Sequence, residues 1–400
     1  MRLDVDQLVE GVGARIIVSP RGARFDLSDF PRIDASLAGR PVSEVPKLVE
    51  RICGACPAAH HLAGVAALEM LAGLTVPQDA ARARRLLHYG SVAVTNATTL
   101  LNTDIEAAMA LRRFGLAAQA AAGSPGHFPI TAAPGGVAVG VDRVKAQEAL
   151  GLAKDAQEAA VRLFSESLDD KWQYDPFTGC DFALVDADGF LDPLGSRLRA
   201  RSQAGQLLAE IERDFWAQAV VETDPGSPSP RPRLAKYGRQ GHYRVGPIAQ
   251  ARVGIYRTPR AAELQEQWLK ERSSAGAARA LAVLHAVEAA VLILKRMPDP
   301  VPSNQEIEYP SGIGVGWIDG ARGLLVHQYE VAGGKVESAQ ILTPTAQNEY
   351  WLAQMLTNVA ACEGLENTLR FEEAIRAADP CLPCAQAAPG EMGLEIYQCA

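Results

Sequence analysis

The sequence predicts a mainly helical α+β protein, with a buried helix bundle at its centre and small β-sheets near the N-terminus and around residues 313–342. Three observations carry this. Long Ala- and Leu-rich segments between residues 57 and 168 repeat apolar residues at helical spacing. The stretch 281–294 is nearly apolar all round, as a helix enclosed by other helices must be. Runs of alternating or continuous apolar residues bounded by Gly and Pro mark short strands at both ends of the helical region.

Each element has a local reason. Ala14–Ser19 and Ala23–Leu27 read as strands around the turn residues Pro20-Arg21-Gly22. Pro57–Leu71 reads as a helix with Pro at its first turn, so Cys53 and Cys56 fall where a loop enters it. Gln78–Phe114 continues as one or two helices. Pro125–Gly140 is a Gly- and Pro-rich loop. Helices are predicted over Asp142–Leu168, Ser196–Val221 and Ala261–Arg296. Ile313–Ile318, Leu324–Val331 and Lys335–Leu342 read as strands, the last two joined at Ala332-Gly333-Gly334. Helices Ala346–Cys362 and Leu365–Ala378 then lead to Asp379-Pro380-Cys381. The segments 223–233 and 297–312, rich in Pro, are expected to be long surface loops within a single domain spanning residues 1–400.

Composition narrows the function. The chain has 400 residues, 48% of them hydrophobic and 22% charged, with a formal net charge of −8. That charge argues against nucleic acid or an anionic membrane as partner. Residues 281–294 include His285 and Glu288 and fall short of the ~20 apolar residues a bilayer span needs, so no membrane insertion is expected. Met1-Arg2-Leu3-Asp4 does not read as a leader, which predicts a cytoplasmic protein.

Of the seven cysteines, four form two CxxC pairs, Cys53/Cys56 and Cys381/Cys384, at opposite ends of the sequence. Two thiolates at this spacing point to one side of a turn and can grip one metal. A zinc ribbon places such pairs about 15–20 residues apart, far closer than here. Four soft donors suit zinc, nickel, iron or an iron–sulfur cluster, and the spacing alone leaves these open. Cys180, Cys362 and Cys399 are scattered; the first two are expected to be small buried apolar residues.

The wider wording is similar to the large subunits of nickel–iron hydrogenases. Arg51-Ile52-Cys53-Gly54-Ala55-Cys56-Pro57-Ala58-Ala59-His60-His61 resembles their RxCGxCxxxH motif, and Asp379-Pro380-Cys381-Leu382-Pro383-Cys384 their closing DPCxxC. Asp319-Gly320-Ala321-Arg322-Gly323 through His327-Gln328-Tyr329-Glu330 resembles the APRGxxxHxYE segment, and Pro129 to Gly136 the HPxxxxxPGG loop. The resemblance implies four thiolates around a nickel–iron centre. Cys53 and Cys381 would be nickel-side ligands; Cys56 and Cys384 would bridge to, or hold, an iron carrying cyanide and carbonyl ligands. It also implies that Arg322 lies beside the diatomic ligands and His60 near a bridging sulfur. His61 and His327 are expected to be structural.

The departures from the family pattern fall on processing and proton delivery. The family's closing motif continues to a His or Arg after which a protease removes the tail; here that position is Ala387, and residues 388–396 resemble the tail itself. The chain is therefore expected to stay uncut. The lost His puts the family's magnesium site in doubt, although a carboxylate that would serve it falls near Asp34. At the N-terminus Val9-Glu10-Gly11 preserves an acid of the RIEGH-like segment without its Arg and His, so Glu10, with Arg322, is the catalytic candidate if the chain is an enzyme. Phe128 stands before Pro129 where the family has His, and Ala321 replaces a proline. Spared sulfurs with damaged processing resemble the HupK/HoxV-type maturation scaffolds. These are unprocessed large-subunit paralogues that hold the iron–cyanide–carbonyl fragment. The implied partners are a HypC-type chaperone and the hydrogenase large subunit being served. The alternative is a catalytic large subunit of unusual sequence, which would need a small subunit.

Overall fold

The computed structural model describes residues 14–27, 34–168, 177–222, 231–271, 274–303, 306–382, 385 and 387–399. β1 (Arg15–Ser19) and β2 (Gly22–Phe25) form the expected antiparallel hairpin. α1 (Pro57–Leu71) starts at Pro57, whose missing N–H is one of those a helix start leaves unpaired anyway. The predicted 78–114 segment is two helices, α2 (Gln78–Thr99) and α3 (Ile105–Ala121). The division falls at Asp104, whose carboxylate accepts the Ala107 N–H and so caps α3. α4 (Arg143–Ser167) is capped the same way by Asp142, which accepts from Val144 and Lys145.

The structure corrects the next region. β3 (Cys180–Val185), fully buried, has no counterpart among the predicted elements, and the predicted helix 196–221 is mostly a hairpin of β4 (Arg197–Arg201) and β5 (Leu207–Glu212). Arg-Leu-Arg-Ala-Arg alternates with period two, burying Leu198 and Ala200 on one face, and Gly205 takes the turn at φ +81°. Only Arg213–Phe215, a 3-10 turn, and Trp216–Ala219, a single α-helical turn, are helical there.

α5 (Pro247–Val253) is followed by α6 (Pro259–Glu271) and α7 (Ala275–Arg296), which replace the single predicted helix 261–296. Ser274 caps α7 by accepting from Ala277. α7 is long and apolar enough to cross a membrane, but most of it is buried among the other helices. β6 (Gly312–Gly320), β7 (Gly323–Ala332) and β8 (Lys335–Leu342) form the expected antiparallel meander. α8 (Glu349–Glu363) and α9 (Thr368–Ala378) follow, and β9 (Glu395–Gln398) closes the described chain. Of the two expected loops, 223–230 lies outside the described residues; the described part of 297–311 is irregular apart from a bridge between Pro302 and Val137.

Packing brings the chain ends together. α2, α3, α4 and α7 share the main apolar core. α1 lies across β6 and β7. Gly314 and Gly316 of β6 allow that approach, since a Cβ on either would strike the Ala67 or Ala63 carbonyl of α1. A second core joins β1 and β2 to α8 and α9. β9 adds in parallel to β1, with Arg15 opposite Glu395 and Val18 opposite Gln398. The first and last described segments therefore lie in one sheet, ordered β9-β1-β2.

Candidate metal centre

The turn before α1 and the turn after α9 meet at their sulfurs. Cys53 Sγ lies 2.9 Å from Cys381 Sγ, and Cys56 Sγ lies 3.5 Å from it. Both turns are pinned from outside. The Thr95 hydroxyl of α2 donates to the Ala55 carbonyl at 3.1 Å, and the Cys381 N–H donates to the Thr345 hydroxyl at 2.8 Å. Cys384 and Glu10 lie outside the described residues.

His60, one turn into α1, puts a ring nitrogen within 4.8 Å of the Cys53 and Cys56 sulfurs. Its Nδ1 is 3.0 Å from His327 Nε2, and His327 Nδ1 in turn contacts the Tyr329 hydroxyl. His61 serves another purpose: its Nε2 accepts the Ala132 N–H at 3.1 Å, and Nδ1 is 3.5 Å from Glu50.

Arg322 occupies the tip of the two-residue turn between β6 and β7, with Gly320 opposite Gly323. A hairpin tip is ordinarily in water, yet Arg322 is 7% exposed. Its Nε is 3.4 Å from Asp379 Oδ1, and among the described residues its Nε and Nη1 have no hydrogen-bond partner. Asp379 caps α9 in the left-handed conformation (φ 45°), and also lies 3.7 Å from Arg279 Nε and 3.4 Å from the Thr99 hydroxyl. Sequence reasoning does not single out Asp379 or Tyr329, although both sit inside the motifs quoted above. Nor does it find Arg279, whose only cue is a charge in the apolar first half of a helix.

The electrostatics are those of a crowded sulfur site. Hydrogen bonding to Cys381 and Cys53, with burial, raises the Cys56 thiol well above its ordinary value; contact with Cys53 pushes Cys381 up to about 12. Cys53 moves the other way, because Cys381 and Cys56 both donate to it and hold it as the thiolate. Buried thiols this close cannot all ionise beside one another unless a cation neutralises them. Burial opposes the charge on Arg322, but Asp379 and the three sulfurs outweigh it and hold the guanidinium charged.

Soft sulfurs with a nearby imidazole fit iron or nickel. The unpartnered N–H groups of Arg322 fit a centre whose own ligands carry acceptor atoms, since a buried donor is costly until it is paired.

The segment after Cys381 is fastened to the fold. Glu372 of α9 accepts from the Gly390 N–H (2.8 Å), the Met392 N–H (3.3 Å) and Arg376 Nη2 (3.0 Å). Arg376 Nη2 also donates to the Ala387 and Ala388 carbonyls at 2.9 and 3.0 Å. Ala387 itself offers no side-chain ligand atom. Asp34 opens a single turn that packs on β8 and accepts from the Ala35 N–H. Cys180 is buried as expected, but Cys362 is exposed at the end of α8, a correction to its expected burial.

Comparison with known proteins accords with this geometry. Residues 32–96 match the family described as nickel-dependent hydrogenase. The chain is 27% identical to a component of the vhu F420-non-reducing hydrogenase of Methanocaldococcus jannaschii, over 82% of this chain and 90% of that one. It is also 27% identical to the NAD-reducing hydrogenase HoxS subunit beta of Cupriavidus necator, over 94% and 91%. A solved NAD+-reducing [NiFe]-hydrogenase in the H2-reduced state superposes with a TM-score of 0.80 at 28% identity, covering 92% of this chain and 93% of that one. These matches support the nickel-dependent hydrogenase large-subunit family. The fold is that of a hydrogenase large subunit. A [NiFeSe] hydrogenase from Desulfovibrio vulgaris Hildenborough shares that fold at 18% identity, with a TM-score of 0.72 and coverage of 92% and 94%. Cys53, Cys56 and His60 form a cluster that could hold a metal ion, and through Cys381 it joins the two ends of the sequence.

Proposed function

We propose that this chain is a hydrogenase maturation scaffold, a non-catalytic holder of the iron–cyanide–carbonyl fragment of the nickel–iron active site. The observation that carries this reading is a combination. The sulfurs of Cys53, Cys56 and Cys381 lie together, while Ala387 stands at the family's processing position with its backbone clamped by Arg376. A carrier needs soft ligands, shielding for the diatomic groups and a route to release. Cys53, Cys56 and Cys381, with Cys384 assigned to the same site, would supply the sulfurs, and His60 would hydrogen-bond one of them. The Arg322 guanidinium would donate to the cyanide nitrogens from a buried position, where each such bond is worth more than in water.

The partners this reading requires are a HypC-type chaperone that delivers the iron unit and the large subunit that receives it. Its setting is the cytoplasm, and residues 1–400 act as one domain. Magnesium has no place in it, because Ala387 removes the terminal ligand.

The competing reading, a catalytic large subunit with a small-subunit partner, is favoured by the names of the relatives, which are hydrogenase subunits. Glu10 would then be its proton-transferring acid. The two readings separate in one experiment. The purified chain is supplied with nickel, assayed for hydrogen uptake and weighed intact by mass spectrometry. The scaffold reading expects no uptake and a mass that still includes Cys399 and Ala400; uptake accompanied by loss of the tail would refute it.

A further inference from the structure

His327 and Tyr329 are alternate residues of β7, so their side chains leave the strand on one face, and that face meets α1. His60 and Gly64 are one turn apart on α1 and share the face it turns toward β7. Gly64 borders the pair: a Cβ there would be in ordinary contact with the Tyr329 hydroxyl (3.4 Å) and His327 Nδ1 (3.8 Å), and would collide only with Val49. The outcome is an unbroken line of contacts, Tyr329 hydroxyl to His327 Nδ1, His327 Nε2 to His60 Nδ1, and His60 to the Cys53 sulfur. His327 and Tyr329 are fully buried and His60 nearly so.

With both imidazoles neutral, such a line can carry its protons in only two orders. Burial keeps Tyr329 a neutral phenol and His327 a neutral imidazole with one N–H. If His327 donated to Tyr329, the phenol proton would have no acceptor among the described residues. In the opposite order Tyr329 donates to His327 Nδ1, His327 Nε2–H donates to His60 Nδ1, and His60 Nε2–H donates to sulfur. That order satisfies every group.

We propose that Tyr329 and His327 are positioning residues that set the direction of this chain, so that His60 presents an N–H rather than a lone pair to the Cys53 sulfur. Its purpose, tuning a metal-bound thiolate, rests on the cradle reading above; the proton order itself does not. The anchor is the single phenol proton at the buried end.

The test uses the metal-free full chain labelled with 15N-histidine, with His60 and His327 assigned through His60→Gln and His327→Gln. Long-range 1H–15N spectra report which ring nitrogen carries the proton. The proposal expects both residues as Nε2–H tautomers in the native chain. Tyr329→Phe, nearly isosteric, should move His60 to a mixture or to the Nδ1–H form. His327→Gln should keep His60 as Nε2–H, because its amide donates to His60 while its carbonyl accepts from Tyr329; His327→Leu should lose it. A native His60 protonated on Nδ1, or tautomers indifferent to Tyr329→Phe, would overturn the proposal. In the iron-loaded chain Tyr329→Phe should shift the carbonyl infrared band with iron content unchanged, whereas an unmoved band would reduce the chain to packing. Failure of the native chain to load iron would strike the cradle reading and leave the tautomer result standing.

Discussion

Arg322 Nε lies 3.4 Å from Asp379 Oδ1, with both side chains about 5% exposed. This pair ties the hairpin tip of β6 and β7 to the turn that carries Cys381, so one electrostatic contact holds two chain-distant halves of the site in register. Asp379 also faces Arg279, which is 7% exposed. Replacing Asp379 by Ala leaves two buried guanidinium groups without their carboxylate, a class of change that costs ~3–5 kcal/mol. The expected outcome is a lower urea midpoint with an unchanged m-value and loss of iron binding. A midpoint equal to that of the native chain would contradict the pairing.

Asp319 predicts a pH dependence. Burial pushes its carboxyl up to about 7, against the hydrogen bonds it accepts from Gln250 and the Leu184 N–H. An unfolded Asp titrates near ~3.9. The folded value lies above the unfolded one, so the native state binds the proton more tightly and loses stability as pH rises from about 4 to about 7. Asp319→Asn keeps one of the two acceptor oxygens and cannot ionise, so any loss from the other is independent of pH. Native and Asn chains should therefore diverge by on the order of 4 kcal/mol between about pH 4 and pH 8. Parallel unfolding curves across that range would argue against a protonated Asp319.

The clamp on the tail is open to protease mapping. Glu372 holds the Gly390 and Met392 N–H groups and Arg376 at once. Glu372→Ala should release residues 387–399 while leaving the bundle of α2, α3, α4 and α7 folded, since hydrogen bonds to a charged group are worth ~1.5–3 kcal/mol each. Limited proteolysis is expected to cut the variant after residue 387 at least tenfold faster than the native chain. Equal rates would mean that β9 pairing with β1 alone docks the tail.

Thiol chemistry separates the cysteines outside the cradle. Burial pushes Cys180 up to about 12, while Cys362 and Cys399 are exposed. A thiol reagent on the native chain should modify Cys362 and Cys399 first and reach Cys180 only after unfolding, as peptide mapping would read out. Early labelling of Cys180 would show that β3 opens readily.

Much of the fold is legible in the sequence where local chemistry decides the outcome. α1 matches its predicted bounds, because Pro57 starts it and the apolar run supports it. The β6–β8 meander follows from its alternating apolar pattern and from Gly333-Gly334, both at positive φ. The family resemblance implies that Cys53 and Cys56 share a site with Cys381, and in the structure their sulfurs lie 2.9 and 3.5 Å from its own; Cys384 and Glu10 fall outside the described residues. The 196–221 segment is misread because Leu198 and Ala200 are too few to outweigh helix-favouring neighbours, and only burial against β3 reveals the period of two. Asp379 and Tyr329 are illegible as site residues for a different reason. Their partners, Arg322, Arg279 and His327, acquire meaning only once the fold has buried them.

The most direct measurement is the infrared spectrum of the anaerobically purified chain together with its iron and nickel contents, compared with Cys56→Ser. The account predicts cyanide and carbonyl stretches with stoichiometric iron and little nickel in the native chain, and loss of both bands and iron in the variant. Stoichiometric nickel in the native chain, or unchanged bands in Cys56→Ser, would contradict it.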